Sequence, residues 1–331
     1  MLNLSKKYKE IHIWDLPTDQ IYIRLNEKFR ISIFTKLKKL FGNDKSISKV
    51  INKKPYDISK WKRGVNACPL NSIMDLIKFI DINNFVFEKN IVMIKSGRNG
   101  NPSTGEIKNP KLPFKLTPGM AQLISHFLHD GHIRDLRATY TSKDKKILKE
   151  IVKLVKLEIG EIKKPSCSVS SFKGISILFP RIISLLLVYG FNCKVGSKIK
   201  NDPGVPPLIL ESDNKEVISR YLKAAFSDEG CMVNKNYTRH IVFGLSKGYD
   251  GKFKPPKLLE GSYFLIKRIG INPTRMTLYR KYKTKKGEKR EGWWFRISNK
   301  EGLELFRDNI GFLQNYKNKK LNDAINSYVF K

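Results

Sequence analysis

The chain has 331 residues, more than one ordinary domain, so two or three modules are expected. Hydrophobic residues make up 40% and aromatics 11%, which excludes a disordered tail and allows packed cores. Lys and Arg number 64 against 30 acids, a formal net charge of +34, and such an excess fits a polyanion partner bound by phosphate neutralisation and counterion release.

Solvated surfaces of a Lys-rich chain would give the same total, but the acids are locally absent in some segments, which favours a nucleic acid. Cys68, Cys167, Cys193 and Cys231 are scattered with no CxxC pair, which argues against a structural zinc site and a disulfide framework and for a reducing, intracellular location. The N-terminus has no apolar signal core. The longest apolar run, Ile182 to Tyr189, is too short to span a bilayer, so no membrane partner is expected and a cytoplasmic, nucleoid-associated protein is.

Residues 1–29 alternate in IHIW and IYIRL and predict short strands. Residues 30–95 read as a small, mostly helical module. Within it, SISKVINKKPYDISKWKRG predicts a helix–turn–helix: Ile47, Val50 and Ile51 face inward from the first helix, Ile58 and Trp61 anchor the second, and Gly64 ends it. Lys60, Lys62 and Arg63 then lie on the outer face, suited to groove or phosphate contact. A next helix starts at Pro69 and packs Leu70, Ile73, Met74 and Ile77. This module resembles the DNA-binding part of phage-repressor-like regulators; a small helical bundle with exposed lysines is the alternative. The Gly/Pro/Asn-rich stretch 96–113 shows no periodicity and reads as an exposed linker, taken as 96–116.

The main body, 117–331, repeats itself, with halves at 117–210 and 211–331. Thr117 caps a helix with Pro118 at its first position, and Met120, Leu123, Ile124, Phe127 and Leu128 share one face. A capping box from Asp213 to Glu216 opens a second helix whose apolar face is Val217, Ile218, Tyr221, Leu222, Ala225 and Phe226. Each helix is followed by strands, a helix, strands and a closing helix (180–189 and 300–309). The expected class is α+β, a duplicated αββαββα unit behind the small helical domain.

The chemistry concentrates at the two helix ends, LISHFLHDG (123–131) and LKAAFSDEG (222–230). Each places an acid, Asp130 or Glu229, before a glycine, Gly131 or Gly230, expected to supply a left-handed turn that ends the helix. A helix C-terminus already carries partial negative charge, so an anion there is disfavoured. Two such ends side by side also repel, which should raise at least one pKa. A divalent cation reverses both penalties, and hard oxygen ligands suit Mg²⁺, or Mn²⁺. Small residues one or two turns earlier, Ala121 and Ser125 on one helix and Ala224 and Ala225 on the other, let two backbones approach. Two unrelated amphipathic helices with chance acids are the alternative. His126, His129 and His132 beside Asp130 look like a zinc cluster, but a helix ending at Gly131 takes His132 off the shared face. His12 and His240 have no assigned role.

The two segments resemble the paired LAGLIDADG motifs of homing endonucleases. In the first, Leu123, Asp130 and Gly131 hold the expected positions, while Ser125 replaces a glycine and His126, Leu128 and His129 depart. In the second, Leu222, Phe226 and Gly230 fit, with Glu229 at the catalytic acid position. GFNCKVGSKIKNDPGVPPLIL (190–210) and the strand–helix at 293–321 resemble the inter-repeat and closing segments of archaeal members, extending the likeness over nearly all of 117–321.

The resemblance implies a pseudo-symmetric saddle of two sheets over the DNA major groove, and metal-dependent hydrolysis of both strands. By matching positions Asp130 and Glu229 bind the metals, backbone carbonyls of His129 and Asp228 add ligands, and lysines near the site help, with Lys200 and Arg296 as candidates. The hairpin 280–290 holds seven basic residues, Arg280, Lys281, Lys283, Lys285, Lys286, Lys289 and Arg290, and one acid, flanked by Tyr279, Tyr282, Trp293 and Trp294. It is expected to grip double-stranded DNA rather than serve only as a charged edge.

Three functions follow in order: an active site-specific endonuclease, a regulator of the same fold that has lost cleavage, and an RNA splicing maturase. Two motifs in one chain predict a monomer needing no protein partner. An intein is not expected, since the chain starts at Met1 without a Cys or Ser nucleophile and ends SYVFK without a His-Asn pair; an intron-encoded and a former intein origin both stay open.

Overall fold

The computed structural model describes residues 10–98, 101–134, 137–163, 166–169, 174–235, 238–249 and 251–328. The N-terminal part contains β1 (Glu10–Ile11), β2 (Ile21–Leu25), α1 (Glu27–Phe41), α2 (Asp44–Val50), α3 (Pro55–Lys62), β3 (Cys68–Pro69), α4 (Leu70–Lys78), α5 (Asn84–Lys89), β4 (Ile91–Arg98), β5 (Asn101–Lys108) and β6 (Phe114–Lys115). The stretch expected to be a linker is therefore mostly strand. β5 pairs antiparallel with β4, and Ile107, fully buried, gives it an apolar anchor that the surrounding Gly, Pro and Asn obscure in sequence.

The following segment holds α6 (Pro118–Leu128), β7 (Gly131–Ile133), β8 (Ala138–Ser142), α7 (Lys145–Glu158), β9 (Glu161–Ile162), β10 (Ser166–Val169), β11 (Ile175–Leu178) and α8 (Arg181–Leu185), which extends through Gly190. Two short helices, α9 (Lys198–Asn201) and α10 (Pro207–Leu210), lead to α11 (Lys215–Glu229), β12 (Gly230–Lys235), β13 (Thr238–Gly248), α12 (Lys257–Arg268), β14 (Thr277–Lys283), β15 (Lys289–Ile297), α13 (Lys300–Asn309) and α14 (Asn315–Asn326). Residues 170–173, inside the expected strand segment of the first half, lie outside the described residues.

Helix and sheet are mixed as expected. The order helix, two strands, helix, two strands, helix occurs twice, with β9 as an addition in the first copy. The two four-stranded sheets, β10-β11-β8-β7 and β12-β13-β15-β14, have the same connectivity: counted by appearance, each runs first, second, fourth, third. All neighbours are antiparallel.

The N-terminal residues do not stand apart. β9 completes a five-stranded sheet, β3-β2-β4-β5-β9, otherwise built from the N-terminal part. Arg181 of α8 donates to Gly97 O and to Gln20 Oε1. One apolar core runs from Ile23 and Ile94 through Leu123 and Phe226 to Phe295.

In the expected helix–turn–helix, α2 and α3 are joined through Asn52, at φ 50°. Ile47, Ile58 and Trp61 are buried as read, but Val50 is exposed because α2 ends there and turns it outward. Gly64 closes the turn after α3 at φ 73°.

Thr117 caps α6 by accepting from Met120 N, with Pro118 at the first position. The cap of α11 differs from the expected box. Asn214 accepts from Glu216 N and Val217 N, while Asp213 turns out to pair with Arg268 at 3.2 Å. α6 is not amphipathic: every residue from Met120 to Leu128 is buried, polar ones included, because the helix is covered by α11, α7 and its own sheet.

Candidate functional site

α6 and α11 form the most extensive helix–helix contact of the molecule, with Ala121, Ser125, Ala224 and Ala225 all buried. α11 runs straight into β12, and α6 reaches β7 through the two-residue turn of His129 and Asp130; this reversal explains the glycines. Gly131 and Gly230 do not adopt the left-handed conformation expected from sequence; Gly230 is extended at φ −85°, ψ 149°. A Cβ on Gly131 would lie 2.5 Å from Phe127 Cα, and one on Gly230 2.5 Å from Phe226 O. Glycine is needed because the strand starts by folding back over the last helical turn.

The two acids reach this point differently. Glu229 is the last residue of α11. α6 ends earlier, at Leu128, so Asp130 sits on a turn beyond the helix rather than in its last turn. Asp130 is open to solvent on one side, but protein atoms displace enough water from its carboxyl, with Asp228 and Glu229 nearby, to push it up to about 7. Glu229 is also raised, first by burial and then by Asp228, against the opposing charges of Lys198 and Lys317. Glu229 therefore acts on Asp130, and Asp228 acts on both, while the surrounding molecule is strongly basic.

Asp228 is engaged elsewhere. Its side chain is fully buried and accepts from Tyr140 Oη at 2.8 Å and from His126 Nδ1 at 3.0 Å. Residues of the first half thus hold the side chain next to Glu229 in the second. Burial, then the charges of Asp228 and Asp130, push the Tyr140 phenol up, so it remains a donor.

His129 is fully buried between Tyr221 and Phe243, and neither ring nitrogen has a hydrogen-bond partner. Burial pulls its pKa well below the usual imidazole value, aided by Lys198 and His126, so the ring is neutral. His132, by contrast, is half-buried on β7. Among the described residues no group of three or more His, Cys, Asp or Glu is arranged to hold a metal ion, whether the three histidines or Asp130, Asp228 and Glu229.

Two lysines that sequence reading missed attend the acids. Lys198, on α9, acts on Asp130, Glu229, His129 and His132. Lys317, on α14, donates to Ser227 O and Gly230 O, both at 2.7 Å, at the C-terminus of α11. Gln314 Nε2 also donates to Ser227 O, and Leu313 N to Ser227 Oγ. A cation there offsets the helix dipole and explains how Glu229 is tolerated. Burial lowers the Lys317 pKa, though nearby Cys231, Asp228, Asp130 and Glu229 oppose it. Nothing in local sequence ties residue 317 to residue 230.

The earlier candidates lie elsewhere. Lys200 is exposed, lines a cleft with Tyr249, Glu288 and Arg290, and acts on Glu288. Arg296 stacks on Trp294 at 4.2 Å and acts on His240. In the β14–β15 hairpin, Arg280, Lys281, Lys283, Lys285, Lys286 and Lys289 are exposed, and Arg290 pairs with Glu288 at 2.7 Å. On α3, Lys60 lies over Tyr56, Lys62 approaches Asp44 at 3.7 Å, and Arg63 is exposed. No helix among the described residues is long and apolar enough to cross a membrane.

Asp130 and Glu229, with Asp228 already bonded, offer oxygen donors only, the chemical type that suits a hard divalent cation. Burial first, and then the charges of Asp228 and Glu229, push the Asp130 carboxyl up, and a bound cation would oppose the like-charge part.

No protein-family model matches the chain. Over 333 residues it is 25% identical to glutamine–fructose-6-phosphate aminotransferase (isomerizing) of Methanocaldococcus jannaschii, covering 98% of this chain and 26% of that protein, so it spans about a quarter of that relative's length. Solved structures with a similar chain path include variants of the homing endonuclease I-DmoI (TM-score 0.41, 13% identity, 63% of this chain and 98% of that one). The N-terminal LAGLIDADG domain of DUF199/WhiA gives a TM-score of 0.36 at 14% identity over 62% and 89% of the two chains. The homing endonuclease I-WcaI, bound to its DNA recognition sequence, gives 0.36 at 16% over 62% and 87%. These are partial likenesses of fold, and the chemistry of this chain rests on its own residues.

Proposed function

We propose that this protein is a site-specific, divalent-metal-dependent DNA endonuclease of the LAGLIDADG type. What supports this reading is that Asp130, on the turn just beyond α6, feels the charge of Glu229, the last residue of the tightly packed α11, within a protein of net charge +34. Repelling, desolvated carboxylates, one of them at a helix C-terminus, cost stability, and cation binding offsets the cost.

In this reading the two sheets form a pseudo-symmetric saddle on duplex DNA and the chain acts as a monomer. The hairpin residues Arg280 to Arg290 and the α3 residues Lys60, Lys62 and Arg63 contact the backbone. Asp130 and Glu229 hold Mg²⁺ or Mn²⁺, with backbone carbonyls of His129 and Asp228 alongside. The bound cation supplies Lewis-acid stabilisation of the oxygens at the scissile phosphate. Lys198, the cation acting on both acids, balances charge developing there. The bonded Asp228 ties the end of α11 beside Glu229 to the first half, and Lys317 holds the strand–helix junction.

The test is nicking and cleavage of a randomised duplex library with Mg²⁺, comparing wild type with Asp130→Asn and Glu229→Gln. Cleavage by wild type lost in both variants supports the reading. Tight duplex binding with no cutting by wild type would favour a regulator of the same fold. Preference for a structured RNA would favour a splicing cofactor.

A further inference from the structure

The outer face of the second half's sheet carries an unusual stack. Along β15 the side chains of Glu291, Trp293, Phe295 and Ile297 are buried, while Arg290, Trp294 and Arg296 alternate with them on the other side, where Gly292 is covered. Register places Thr277 of β14 and Gly244 of β13 beside Trp294, and Arg280 and Ser246 beside Gly292.

Across these rows the side chains interleave. The Arg296 guanidinium lies 4.2 Å from the Trp294 ring centroid. Trp294 stacks on Tyr279 at 4.5 Å with 20° between planes. The Arg280 guanidinium lies 5.1 Å from Tyr279 and 4.5 Å from Tyr282. The sequence is thus Arg, Trp, Tyr, Arg, Tyr. A bulge between Leu278 and Arg280 shifts the register and lets Tyr279 lie over the sheet. Gly292 makes room: a Cβ there would meet the Tyr279 ring at 2.7 Å. On β13 the same face carries the small residues Gly244 and Ser246, and Gly244 lies close against Trp294, where a Cβ would meet Trp293 O at 3.2 Å and Trp294 Cβ at 3.4 Å.

This arrangement does more than supply charge. A phosphate clamp needs only mobile cations, which the hairpin's lysines already provide. A guanidinium held against a ring has lost much of its rotamer freedom before any ligand arrives, so less is lost when its N–H groups bind an acceptor pair. Guanine O6 and N7 in the major groove form the matching acceptor pair. A two-stranded ribbon or sheet enters that groove.

We propose that Arg296 and Arg280 are guanine-reading residues, held by the Trp294–Tyr279–Tyr282 stack, and that they make the second half's recognition sequence guanine-dependent at two positions. This rests on duplex DNA being the ligand, as proposed above, but not on cleavage. It makes Arg296 a specificity residue instead of a catalytic one. The first half carries no counterpart among its described residues: β8 and β11 present Thr141 and Ser176, bonded to each other at 2.6 Å. The two halves would therefore read unlike sequences.

The experiment is selection of the full-length protein against a randomised duplex library in Ca²⁺, with and without Mg²⁺ cleavage assayed separately. Wild type should enrich a site with two strongly required guanines. Arg296→Lys and Arg280→Lys should each relax one of them, by about 10- to 100-fold in relative affinity, and leave the rest of the site unchanged. Trp294→Ala should relax the Arg296 position with that arginine still present. The proposal is overturned if the lysine variants select the wild-type site, if affinity drops equally for all sequences, if no guanine is enriched, or if structured RNA displaces the duplex. A guanine-dependent site with no cleavage sinks the nuclease reading and leaves this one standing. Cleavage with the selected site unchanged in all three variants does the reverse.

Discussion

His126 Nδ1 lies 3.0 Å from Asp228 Oδ2, joining α6 to α11 across the central helix pair, with both side chains fully buried. A carboxylate desolvated to that degree is held by its donors, and removing one leaves charge without compensation. His126→Leu should lower the free energy of unfolding by about 2–4 kcal/mol. Tyr140→Phe should cost about 1–3 kcal/mol. The double variant should deviate from additivity, because both donors serve one acceptor. Denaturant titration of the four proteins measures the coupling, and strict additivity would refute a shared network.

The Asp130 carboxyl, pushed up to about 7, gives a signed pH effect. Its folded-state pKa lies above the unfolded value, so the folded state keeps its proton longer. Its contribution is fully present below about pH 4 and is lost as pH rises through about 7. Asp130→Asn should therefore gain stability relative to wild type between pH 5 and 8. The gain is about 1 kcal/mol at pH 8, after discounting for a partly exposed group. Added Mg²⁺ or Mn²⁺ should raise the wild-type melting temperature and not that of Asp130→Asn. Parallel melting curves at pH 5 and 8 would refute the assignment.

Lys317 closes the end of α11 with two hydrogen bonds to backbone carbonyls. Lys317→Met keeps much of the stem's packing and removes the charge. The expected loss is about 1–2 kcal/mol. Because Lys317 also opposes the upward shift of Glu229, the pH profile of metal binding should move to higher pH, read by calorimetric Mn²⁺ titration. An unchanged profile would make the lysine purely structural.

His129 is neutral, buried and without a hydrogen-bond partner at either nitrogen. Replacing such a group by an apolar one of similar size recovers part of its desolvation cost. His129→Leu should stabilise the protein by about 1 kcal/mol. A loss above that size in denaturant unfolding would show that the ring has a polar role.

Gly230→Ala and Gly131→Ala should each cost about 3 kcal/mol or more, since the added carbon meets helix backbone, which cannot swing aside. Gly42, at φ 83° with open space around it, offers the contrast: alanine there is strained only by conformation, at about 1 kcal/mol. Equal losses at Gly42 and Gly230 in chemical denaturation would rule out the close-approach explanation.

Local sequence determined the helices that end at the site, the strands that follow them, and the two acids. These follow from caps, apolar period and glycine position, all set within a few residues: Thr117 and Pro118 open α6, and the Val217–Phe226 face defines α11. Local sequence also misjudged what depends on surroundings. β5 was hidden by turn-forming residues, and the glycines were credited with a left-handed turn when backbone proximity was the cause. Only the tertiary structure decided which charges attend the acids. His126 and Asp228 are 102 positions apart, and Lys317 and Gly230 are 87 apart. Electrostatic coupling and desolvation depend on distance through space, which a one-dimensional pattern does not record.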